Sequence, residues 1–388
     1  MFRAFRILQV ATLGVLAGGC AATHPATPAT RSAPARTVSL APIPAPPPIS
    51  AGSSVNSTEG FVDSAGNLQP EIRTYARAVS AQRNVPLPEV EALLRDAQYN
   101  ATVVRLSTPR HRHVRRSWVT YRKRFVDPIR IRDGIGFWKQ HKAFLDATAA
   151  SYGVPQSILV AIIGVETVYG RQTGNFRVLD ALATLGFRNP DTERPQRSAM
   201  FRDQLADLIQ LNNEKKVDAR TLEGSYAGAV GLPQFMPGSL IRFAVDGNHD
   251  GVVDVRGEPN DAIASVANYL RQHGWVPGLP VFAPVILPKS ADSLATTTGL
   301  QPDQDWPHLK SQGATIRRGA GSTRWTEYPL GVIDLVDEPR NLDEYRTATP
   351  NFFAITHYNH SYFYAASVAD LAQTIADSMG YGGPNQAQ

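Results

Sequence analysis

An apolar segment that ends in a carboxylate constrains this chain more than any other feature. Residues 155–170 read PQSILVAIIGVETVYG, in which an uncharged run leads to Glu166. Pro155 suits the first turn of a helix and Gly170 suits its end, so the spacing predicts a helix over Pro155–Tyr169. The i, i+3, i+4 and i+7 positions of one face are Leu159, Ile162, Ile163 and Glu166. Glu166 is therefore predicted to lie on the buried face of a core helix.

A carboxyl on a buried face has two physical interpretations. Desolvation disfavours the charged form and raises the pKa from its ordinary value of about 4.3, which keeps a proton available near neutral pH. Such a group can donate a proton to a glycosidic oxygen as a general acid. Alternatively, Glu166 ends the helix in a salt bridge, for instance with Arg171. The periodicity alone leaves both interpretations open.

The rest of the chain predicts a mainly α protein with one smaller mixed region. With 388 residues, of which 43% are hydrophobic and 19% are charged, the chain can bury a sizeable core. Helical spacing recurs in Ile72–Arg83, Leu87–Asp96, Gly136–Tyr152, Val178–Phe187, Met200–Leu211, Asp261–Gly274 and Phe352–Met379. From 281 to 349 the composition changes to Pro, Gly, Thr and short β-prone pieces such as VFAPVIL and GVIDLV. We therefore expect a helical core, a helical N-terminal part and a small strand-containing subdomain late in the chain.

The N-terminus predicts export and a lipid anchor. Arg3 and Arg6 precede a short apolar run, and the small residues Gly18 and Gly19 lead to Cys20. The run is too short to cross a bilayer but is typical of a secretory signal. Small residues directly before a lone cysteine favour a bacterial lipoprotein signal, in which Cys20 is acylated and becomes the mature N-terminus. An ordinary signal peptide with an incidental cysteine is the alternative.

The domain plan follows from these composition changes. The lipoprotein-type signal occupies 1–20, and the Pro- and Ala-rich stretch over 21–60 is predicted to be an extended tether. The globular part over 61–388 is predicted to comprise a helical subdomain at 61–150, a core at 151–280 and 350–380, and the mixed subdomain at 281–349.

Charge and cysteine content limit the partners and cofactors. The net charge of +5 favours an acidic partner, such as an anionic polymer or lipid. The basic, aromatic stretch over 110–125, RHRHVRRSWVTYRKRF, either contacts such a polymer or is a solvated face with Trp118, Tyr121 and Phe125 packed inward. The export signal argues against nucleic acid. A single cysteine allows no intramolecular disulfide and no cysteine-based metal site.

Four ordered segments resemble a known family. They are GVETVYGRQTGNFRVLDALATLGF from Gly164, SYAGAVGLPQFMPGSLIRFAVD at 225–246, DAIASVANYLRQHGW at 261–275 and PNFFAITHYNHSYFYA at 350–365. Together they resemble the membrane-bound lytic murein transglycosylase B family of bacterial wall enzymes, over most of residues 70–380. The resemblance implies an α+β, lysozyme-like fold. Residues 281–349 match the family poorly.

The resemblance also implies a reaction. Glu166 would act as the single acid and base that cleaves the bond from N-acetylmuramic acid to N-acetylglucosamine in peptidoglycan without water, leaving a 1,6-anhydro end. Two-carboxylate glycosidases need a second acid, and the matching segments supply one carboxylate on a buried face. A hydrolytic muramidase on the same fold and a non-catalytic peptidoglycan-binding lipoprotein remain the alternatives.

Further site residues are carried over from the matching segments. The resemblance places Ser225 and Gln234 along the cleft and Tyr269, Tyr358 and Tyr364 at aromatic positions that stack on or hydrogen-bond to sugar rings. Arg197 matches an arginine that can meet an acidic peptide stem or lactyl group. The preceding family arginine is replaced by Gln196 in this chain.

A loop with calcium-like spacing follows the second segment. DGNHDGVVD at 246–254 presents the first half of an EF-hand pattern, with oxygens at Asp246, Asn248, Asp250 and the Val252 carbonyl. Position 12 is Gly257, so the closing acid is predicted to be Asp261, with Glu258 as its rival. A turn that folds without metal is the alternative. Any bound calcium would be structural, and the chemistry would need no cofactor.

These expectations combine into a location and a set of partners. We expect a lipoprotein on the periplasmic face of the outer membrane, because Ala21 rather than Asp follows Cys20. Its partners would be peptidoglycan glycan strands, the lipid anchor in the membrane and, in a wall-synthesis complex, other cell-wall enzymes.

Overall fold

The structure is a computed structural model that describes residues 60–109, 115–296 and 299–385. Helices dominate the described residues, and the prediction of a mainly α protein is confirmed. The predicted signal, the acylation of Cys20 and almost all of the tether lie outside the described residues.

The helices of the first half alternate with short connections. They are α1 (Pro70–Arg83), α2 (Leu87–Asp96), α3 (Ala101–Ser107), α4 (Trp118–Arg122), α5 (Pro128–Gln140), α6 (Lys142–Tyr152) and α7 (Gln156–Thr167). The second half contains α8 (Val178–Phe187), α9 (Pro195–Asn213), α10 (Pro237–Phe243), α11 (Pro259–Gln272), α12 (Trp306–Ser311), α13 (Pro350–Thr356) and α14 (Tyr362–Ser378).

Two segments that the sequence predicts as single helices are each divided. In 136–152 the division falls at His141, which ends α5 and precedes α6. Helix α5 begins well before the predicted start, because the Asp127 side chain accepts the backbone N–H groups of Ile129 and Arg130 and caps it. In 352–379 the chain leaves α13 and restarts where the Ser361 side chain caps α14. The Ser361 cap therefore starts a new helix at the second place, whereas the break at His141 has no side-chain cap.

The strands form three two-stranded antiparallel sheets in the described part of the chain. Their pairs are β1 (Phe176–Arg177) with β2 (Glu223–Gly224), β3 (Val285–Ile286) with β4 (Thr315–Ile316), and β5 (Gly331–Asp337) with β6 (Leu342–Ala348). Short 3₁₀ helices occupy Ala291–Leu294, Arg324–Glu327 and Glu338–Arg340. Two of the three sheets lie in 281–349, as the composition of that region predicts.

The buried side chains form three hydrophobic clusters. The first surrounds α7 with residues of α5, α6, α11, α13 and α14. The second joins α1–α3 to α8 and α9, and the third lies in the late mixed region around Trp325 and Leu330. These clusters follow spatial packing rather than chain order, so the proposed division of the helical part at residue 150 stays a prediction.

Helix α7 is the centre of the first cluster. Leu159, Ile162 and Ile163 are fully buried there, as the periodicity predicts. No single helix in the described ranges is long and apolar enough to cross a membrane, although α6 and α7 together meet those two criteria with a bend of 113° between them. The fold thus delivers the last turn of a buried helix, with its carboxylate, to the functional site.

Candidate active site

The carboxyl of Glu166 lies in the last turn of α7 and is half-buried. Its Oε1 accepts a hydrogen bond of 2.5 Å from the Tyr364 hydroxyl on α14. Burial raises the pKa of Glu166 from 4.5 to about 7, and the Tyr364 hydrogen bond opposes that rise. The C-terminal end of a helix also disfavours negative charge. Glu166 is therefore a carboxyl that holds its proton near neutral pH while part of it stays accessible.

The alternative salt bridge does not form. Arg171 pairs with Asp133 on α5 instead, and its Nε donates to the Val168 carbonyl. Among the described residues, burial and the Tyr364 hydroxyl account for the altered pKa of Glu166, with no cation involved. The interpretation of Glu166 as a general acid is therefore the one that the geometry supports.

A tight turn after Glu166 fixes the end of α7. Val168 and Tyr169 adopt left-handed φ angles of 51° and 58°. The Tyr169 ring folds back so closely over the helix that a Cβ at Gly164 would lie 2.4 Å from its hydroxyl, which donates to the Arg130 carbonyl at 2.9 Å. Gly164 therefore leaves the space that the Tyr169 ring occupies, and a larger residue there would displace that ring. Strain of this kind is common beside catalytic groups.

Ser225 and Gln234 lie on the segment between β2 and α10. The Ser225 hydroxyl accepts the Ala229 N–H at 3.0 Å, and the Ser225 N–H donates to the Ala229 carbonyl at 2.8 Å, which closes a compact turn. Gln234 has a left-handed φ of 51°, and its Nε2 donates to the carbonyls of Thr173 and Gly231 at 3.2 and 3.0 Å. Both side chains are half-buried. The two hydrogen bonds from Nε2 fix the orientation of the Gln234 amide, and its oxygen is left as an acceptor for a ligand.

The three tyrosines predicted to meet sugars form one aromatic group but have different exposures. The ring centroids of Tyr269 and Tyr358 are 4.7 Å apart, and the Tyr358 and Tyr364 rings are stacked at 6.4 Å. Tyr364 is 2% exposed and Tyr269 is 8% exposed, whereas Tyr358 is half-buried. The Tyr364 hydroxyl donates to Glu166. The Tyr269 hydroxyl donates to the His357 carbonyl at 2.7 Å, and the Tyr358 hydroxyl donates to the Pro233 carbonyl at 3.1 Å.

The contacts of Tyr364 leave little of its ring for stacking on a sugar, which is one of the two roles that the resemblance implies. Its ring is enclosed by the core, and its hydroxyl is committed to the Glu166 carboxyl, so it positions the acid instead of contacting substrate through its face. Burial raises its pKa well above 10, with Glu166 as the next contribution, so Tyr364 stays a hydrogen-bond donor at any physiological pH. The segment at 350–365 indicated a tyrosine at this position but did not show whether its ring faces the cleft or the core.

Tyr121 on α4 is near enough to Glu166 for the two side chains to interact electrostatically, in a stretch for which the sequence left polymer contact and inward packing open. Burial raises the pKa of its hydroxyl to about 12, and the nearby Glu166 carboxylate adds to that rise. Its ring packs on Phe125 and Phe363 at 5.1 and 5.4 Å, and the residue is half-buried. In the sequence, the aromatic residues around Tyr121 were the only indication of a binding role, and they are equally typical of a core segment.

Arg197 on α9 is half-buried beside the buried carboxylate of Asp191. The guanidinium contacts Asp191 Oδ2 at 3.3 Å, and Arg194 contacts the same oxygen at 2.6 Å. Two arginines share one carboxylate, so this cluster keeps a net positive charge. Gln196 is exposed and adds no charge there.

The loop at 246–261 has the donor chemistry for calcium. Asp246, Asn248, Asp250 and the Val252 carbonyl offer hard oxygens, and the Asp246 carboxylate accepts the N–H groups of Asp250 and Gly251 at 3.2 and 2.8 Å. Across the described ranges no group of three or more His, Cys, Asp or Glu side chains is gathered as a metal site. These oxygen donors are of the kind that calcium prefers, and the side-chain oxygens of Asp246, Asn248 and Asp250 accept backbone N–H groups of the loop.

Asp261 and Glu258 have distinct roles at the end of this loop. Asp261, 1% exposed, accepts the Gly247 and Asp254 N–H groups at 2.8 and 2.7 Å and so ties both ends of the loop to α11. Glu258 caps α11 through the Asn260 N–H at 2.9 Å. Of the two acids, Asp261 therefore faces the loop, whereas Glu258 serves the helix.

Comparison with known proteins agrees with this geometry. Residues 67–373 match the family of the transglycosylase SLT domain. Membrane-bound lytic murein transglycosylase B of Escherichia coli (strain K12) is 37% identical over 260 residues, which are 67% of this chain and 68% of that protein.

Solved structures show the same relationship. Soluble lytic transglycosylase SltB1 from Pseudomonas aeruginosa superposes with a TM-score of 0.70 at 37% identity, covering 80% of this chain and 100% of that one. Escherichia coli lytic transglycosylase Slt35, solved in complex with calcium, superposes with a TM-score of 0.68 at 32% identity, covering 82% and 96%.

A lysozyme-like helical fold with one proton-holding carboxyl at its centre defines a class of enzymes that cleave polysaccharide chains. Within that class, the chain belongs to the transglycosylase SLT family, whose members are lytic transglycosylases of peptidoglycan. The predictions of family, fold class and enzymatic activity are thereby confirmed.

Proposed function

We propose that this enzyme cleaves the β-1,4 bond between N-acetylmuramic acid and N-acetylglucosamine, with Glu166 as its one catalytic acid and base. The observation that carries the proposal is the half-buried Glu166 carboxyl, whose pKa burial raises to about 7. A general acid works best when its pKa is near the operating pH, because it is then protonated and still able to release its proton.

The reaction has two proton transfers through one side chain. Glu166 donates its proton to the bridging oxygen while the bond from that oxygen to C1 of the muramoyl sugar breaks. The C6 hydroxyl of the same sugar then attacks C1, and its proton moves to the Glu166 carboxylate as the new C6–oxygen–C1 bond forms. The products are a free hydroxyl on N-acetylglucosamine and a 1,6-anhydro end, and Glu166 returns to its starting state.

An internal nucleophile is supported by the surroundings of the acid. Glycosidases that use two carboxylates place the second within about 5–10 Å of the first. In the described part of the chain, the side chain that hydrogen-bonds to Glu166 is the Tyr364 hydroxyl and not a second carboxylate. The C6 hydroxyl takes the place that a second acid would occupy in those enzymes.

Substrate contacts are assigned to the accessible groups around Glu166. We assign the Gln234 amide oxygen, the Ser225 hydroxyl, Tyr358 and Tyr121 to sugar binding, since all four are half-buried. We assign Tyr269 and Tyr364 to holding that surface in place. SltB3 from Pseudomonas aeruginosa, which superposes with a TM-score of 0.66 at 29% identity over 79% of this chain and 80% of its own, has been solved with NAG-NAM-pentapeptide. We accordingly assign Arg197 to an anionic group of a peptide-bearing substrate.

Mass spectrometry of digested murein tests the proposal. Non-hydrolytic cleavage gives muramic ends that are lighter by one water than those released by a hydrolytic muramidase. We expect anhydro ends from the wild-type chain and no release by the Glu166→Gln variant. Hydrated muramic ends as the main product would replace the proposal with hydrolysis.

We further propose that acylated Cys20 anchors the enzyme on the periplasmic face of the outer membrane, with the stretch over 21–60 as a spacer. Support comes from the similarity to a relative named as membrane-bound. More than one acyl chain makes such anchoring stable. Fatty-acid labelling of the wild-type chain and of Cys20→Ser tests it, since label on both would exclude this cysteine as the anchor. Other cell-wall enzymes are proposed as partners of the anchored form.

We also propose that Asp246, Asn248, Asp250, the Val252 carbonyl and Asp261 hold a structural calcium ion. The donor types fit, and the similar Slt35 was solved in complex with calcium. The ion would neutralise the acidic loop and order it beside the site. No step of the reaction passes through it.

A further inference from the structure

A small pocket lies next to the catalytic site and has no role in the reaction described above. It is lined by Thr173, Gly174, Glu223, Gly231 and Arg256. The Gln234 side chain connects the two places, because its Nε2 donates to the carbonyls of Thr173 and Gly231, which both line the pocket. A group that enters the pocket therefore lies one residue away from the proposed sugar-binding amide.

The floor of this Glu223–Arg256 pocket is rigid backbone. Gly174 and Gly231 have φ angles of 89° and 71°, which side-chain-bearing residues rarely adopt. A Cβ at Gly174 would lie 2.2 Å from the Gly224 carbonyl oxygen, and one at Gly231 would lie 2.5 Å from the Val255 carbonyl oxygen. The strand segment at Gly224 and the loop at Val255 thus close directly on the floor, and the pocket is preformed.

The walls of the pocket carry opposite charges. Glu223 stands on the β1–β2 sheet and Arg256 stands on the loop at 246–261, and both side chains are exposed. Neither forms a salt bridge within the described ranges, although Arg177, directly opposite Glu223 in the sheet, pairs with Asp96 and Asp180. The pocket therefore presents one carboxylate and one guanidinium that the fold itself does not pair.

We propose that the Glu223–Arg256 pocket binds an amino-acid group that carries both a free ammonium and a free carboxylate, located on the peptide attached to the glycan. The ammonium meets Glu223 and the carboxylate meets Arg256, whose planar guanidinium can bind a carboxylate through two parallel hydrogen bonds. A ligand with both charges complements the two side chains that line the pocket, whereas a neutral sugar has neither charge. This inference rests on the proposed function, because that function supplies a peptide-bearing glycan.

The test compares substrates that differ in the peptide alone. Dissociation constants are measured by calorimetry for the full-length chain in detergent, in a Glu166→Gln background that prevents turnover. The ligands are a peptide-bearing glycan oligomer, the same oligomer stripped of peptide, and two forms in which either the amine is acetylated or the carboxylate is amidated.

Glu223→Gln and Arg256→Gln should each weaken binding of the peptide-bearing oligomer about three- to tenfold, the range for partly exposed charge-assisted contacts. Binding of the stripped oligomer should not change. Amidation should weaken binding to the parent but cause no further loss in Arg256→Gln, and acetylation should behave likewise with Glu223→Gln. Arg220→Gln and Glu327→Gln, which also remove exposed charges, serve as controls outside the pocket.

Equal losses on stripped and peptide-bearing oligomers would overturn the proposal, as would unchanged affinity for both. Loss of affinity that blocking either ligand group fails to reproduce would also exclude the assigned pairing. Failure of the proposed function is read separately, as absence of anhydro products from stripped glycan treated with the wild-type chain. The two outcomes therefore do not mask one another.

Discussion

The last turn of α7 carries Glu166 and the first turn of α11 carries Asp261, and the two carboxyl groups have different hydrogen-bond partners. Glu166 receives one hydrogen bond, from the Tyr364 hydroxyl, and burial raises its pKa to about 7. Asp261 is 1% exposed and receives two backbone N–H groups, from Gly247 and Asp254. The helix dipole opposes negative charge at the first position and favours it at the second.

This difference shows that burial alone does not decide what an acid does. At the end of α7 the backbone presents carbonyls, which disfavour a negative charge, so the protonated form of the carboxyl is stabilised. At the start of α11 the Asp261 carboxylate accepts two N–H groups from the preceding loop, those of Gly247 and Asp254. The first arrangement makes a proton donor and the second makes a structural tie between a loop and a helix.

Replacing Glu166 should have the largest effect on activity. We expect Glu166→Gln to lower turnover of murein by at least about 10²–10⁴-fold, because the amide cannot protonate the bridging oxygen. Binding of glycan should persist, since the shape of the site is retained. Release of soluble muropeptides measures the first quantity and calorimetry the second. Near-normal turnover would remove Glu166 from the catalytic role.

Replacing Asp261 should have the largest effect on stability. We expect Asp261→Asn to lower the free energy of unfolding by about 2–4 kcal/mol in calcium-free buffer, because one buried backbone N–H then faces an amide NH₂ and the charge is lost. Urea denaturation measures the change. Glu258→Gln on the same helix keeps its capping oxygen and is the matched control. A similar loss in both variants would mean that any change in this turn is destabilising.

The raised pKa of Glu166 also has a consequence for stability. A folded-state pKa of about 7 against 4.5 in the unfolded chain means that the folded state binds this proton more tightly. Its contribution to stability is therefore complete below pH 4.5 and is lost as the pH rises through about 7, by up to about 3 kcal/mol. Glu166→Gln should thus be more stable than wild type at pH 8 but not at pH 4, as thermal unfolding at the two pH values can show. An equal difference at both would contradict the raised pKa.

Removing the Tyr364 hydroxyl should change the pH dependence of the enzyme. The hydrogen bond from Tyr364 lowers the pKa of Glu166, so Tyr364→Phe should raise that pKa and move the alkaline limb of the kcat/KM profile to higher pH. Tyr358→Phe, which lacks this contact, is the control for general disturbance of the aromatic group. A downward shift in Tyr364→Phe would show that the hydroxyl acts in some other way.

Calcium should have the smallest effect. At a tenfold excess over its dissociation constant, an ion that binds the folded state alone should raise the melting temperature by about 2 °C. Asp246→Asn should abolish the response while leaving the calcium-free melting temperature nearly unchanged. No shift in the wild-type chain on adding calcium or a chelator would refute the proposed ion.

How far the site could be predicted depends on the range of each interaction. Glu166 was found from its place in a local periodic pattern, because helical spacing decides which side chains share a face. The role of Tyr364 could not be found in this way, since its partner is 198 residues away in the chain. For the same reason the sequence left open whether the stretch around Tyr121 contacts a polymer or packs inward. The shared contact of Arg194 and Arg197 with Asp191 became visible only in the folded structure.

Most of the helices, the buried face of α7 and the acid at its end follow from the sequence, because periodicity, prolines and capping residues act over a few neighbouring positions. Folding buries Glu166 so that it keeps a proton, brings two loop N–H groups to Asp261, and places Glu223 and Arg256 in one pocket. Those outcomes depend on desolvation and on hydrogen-bond partners from distant segments, and neither quantity exists until the chain has folded.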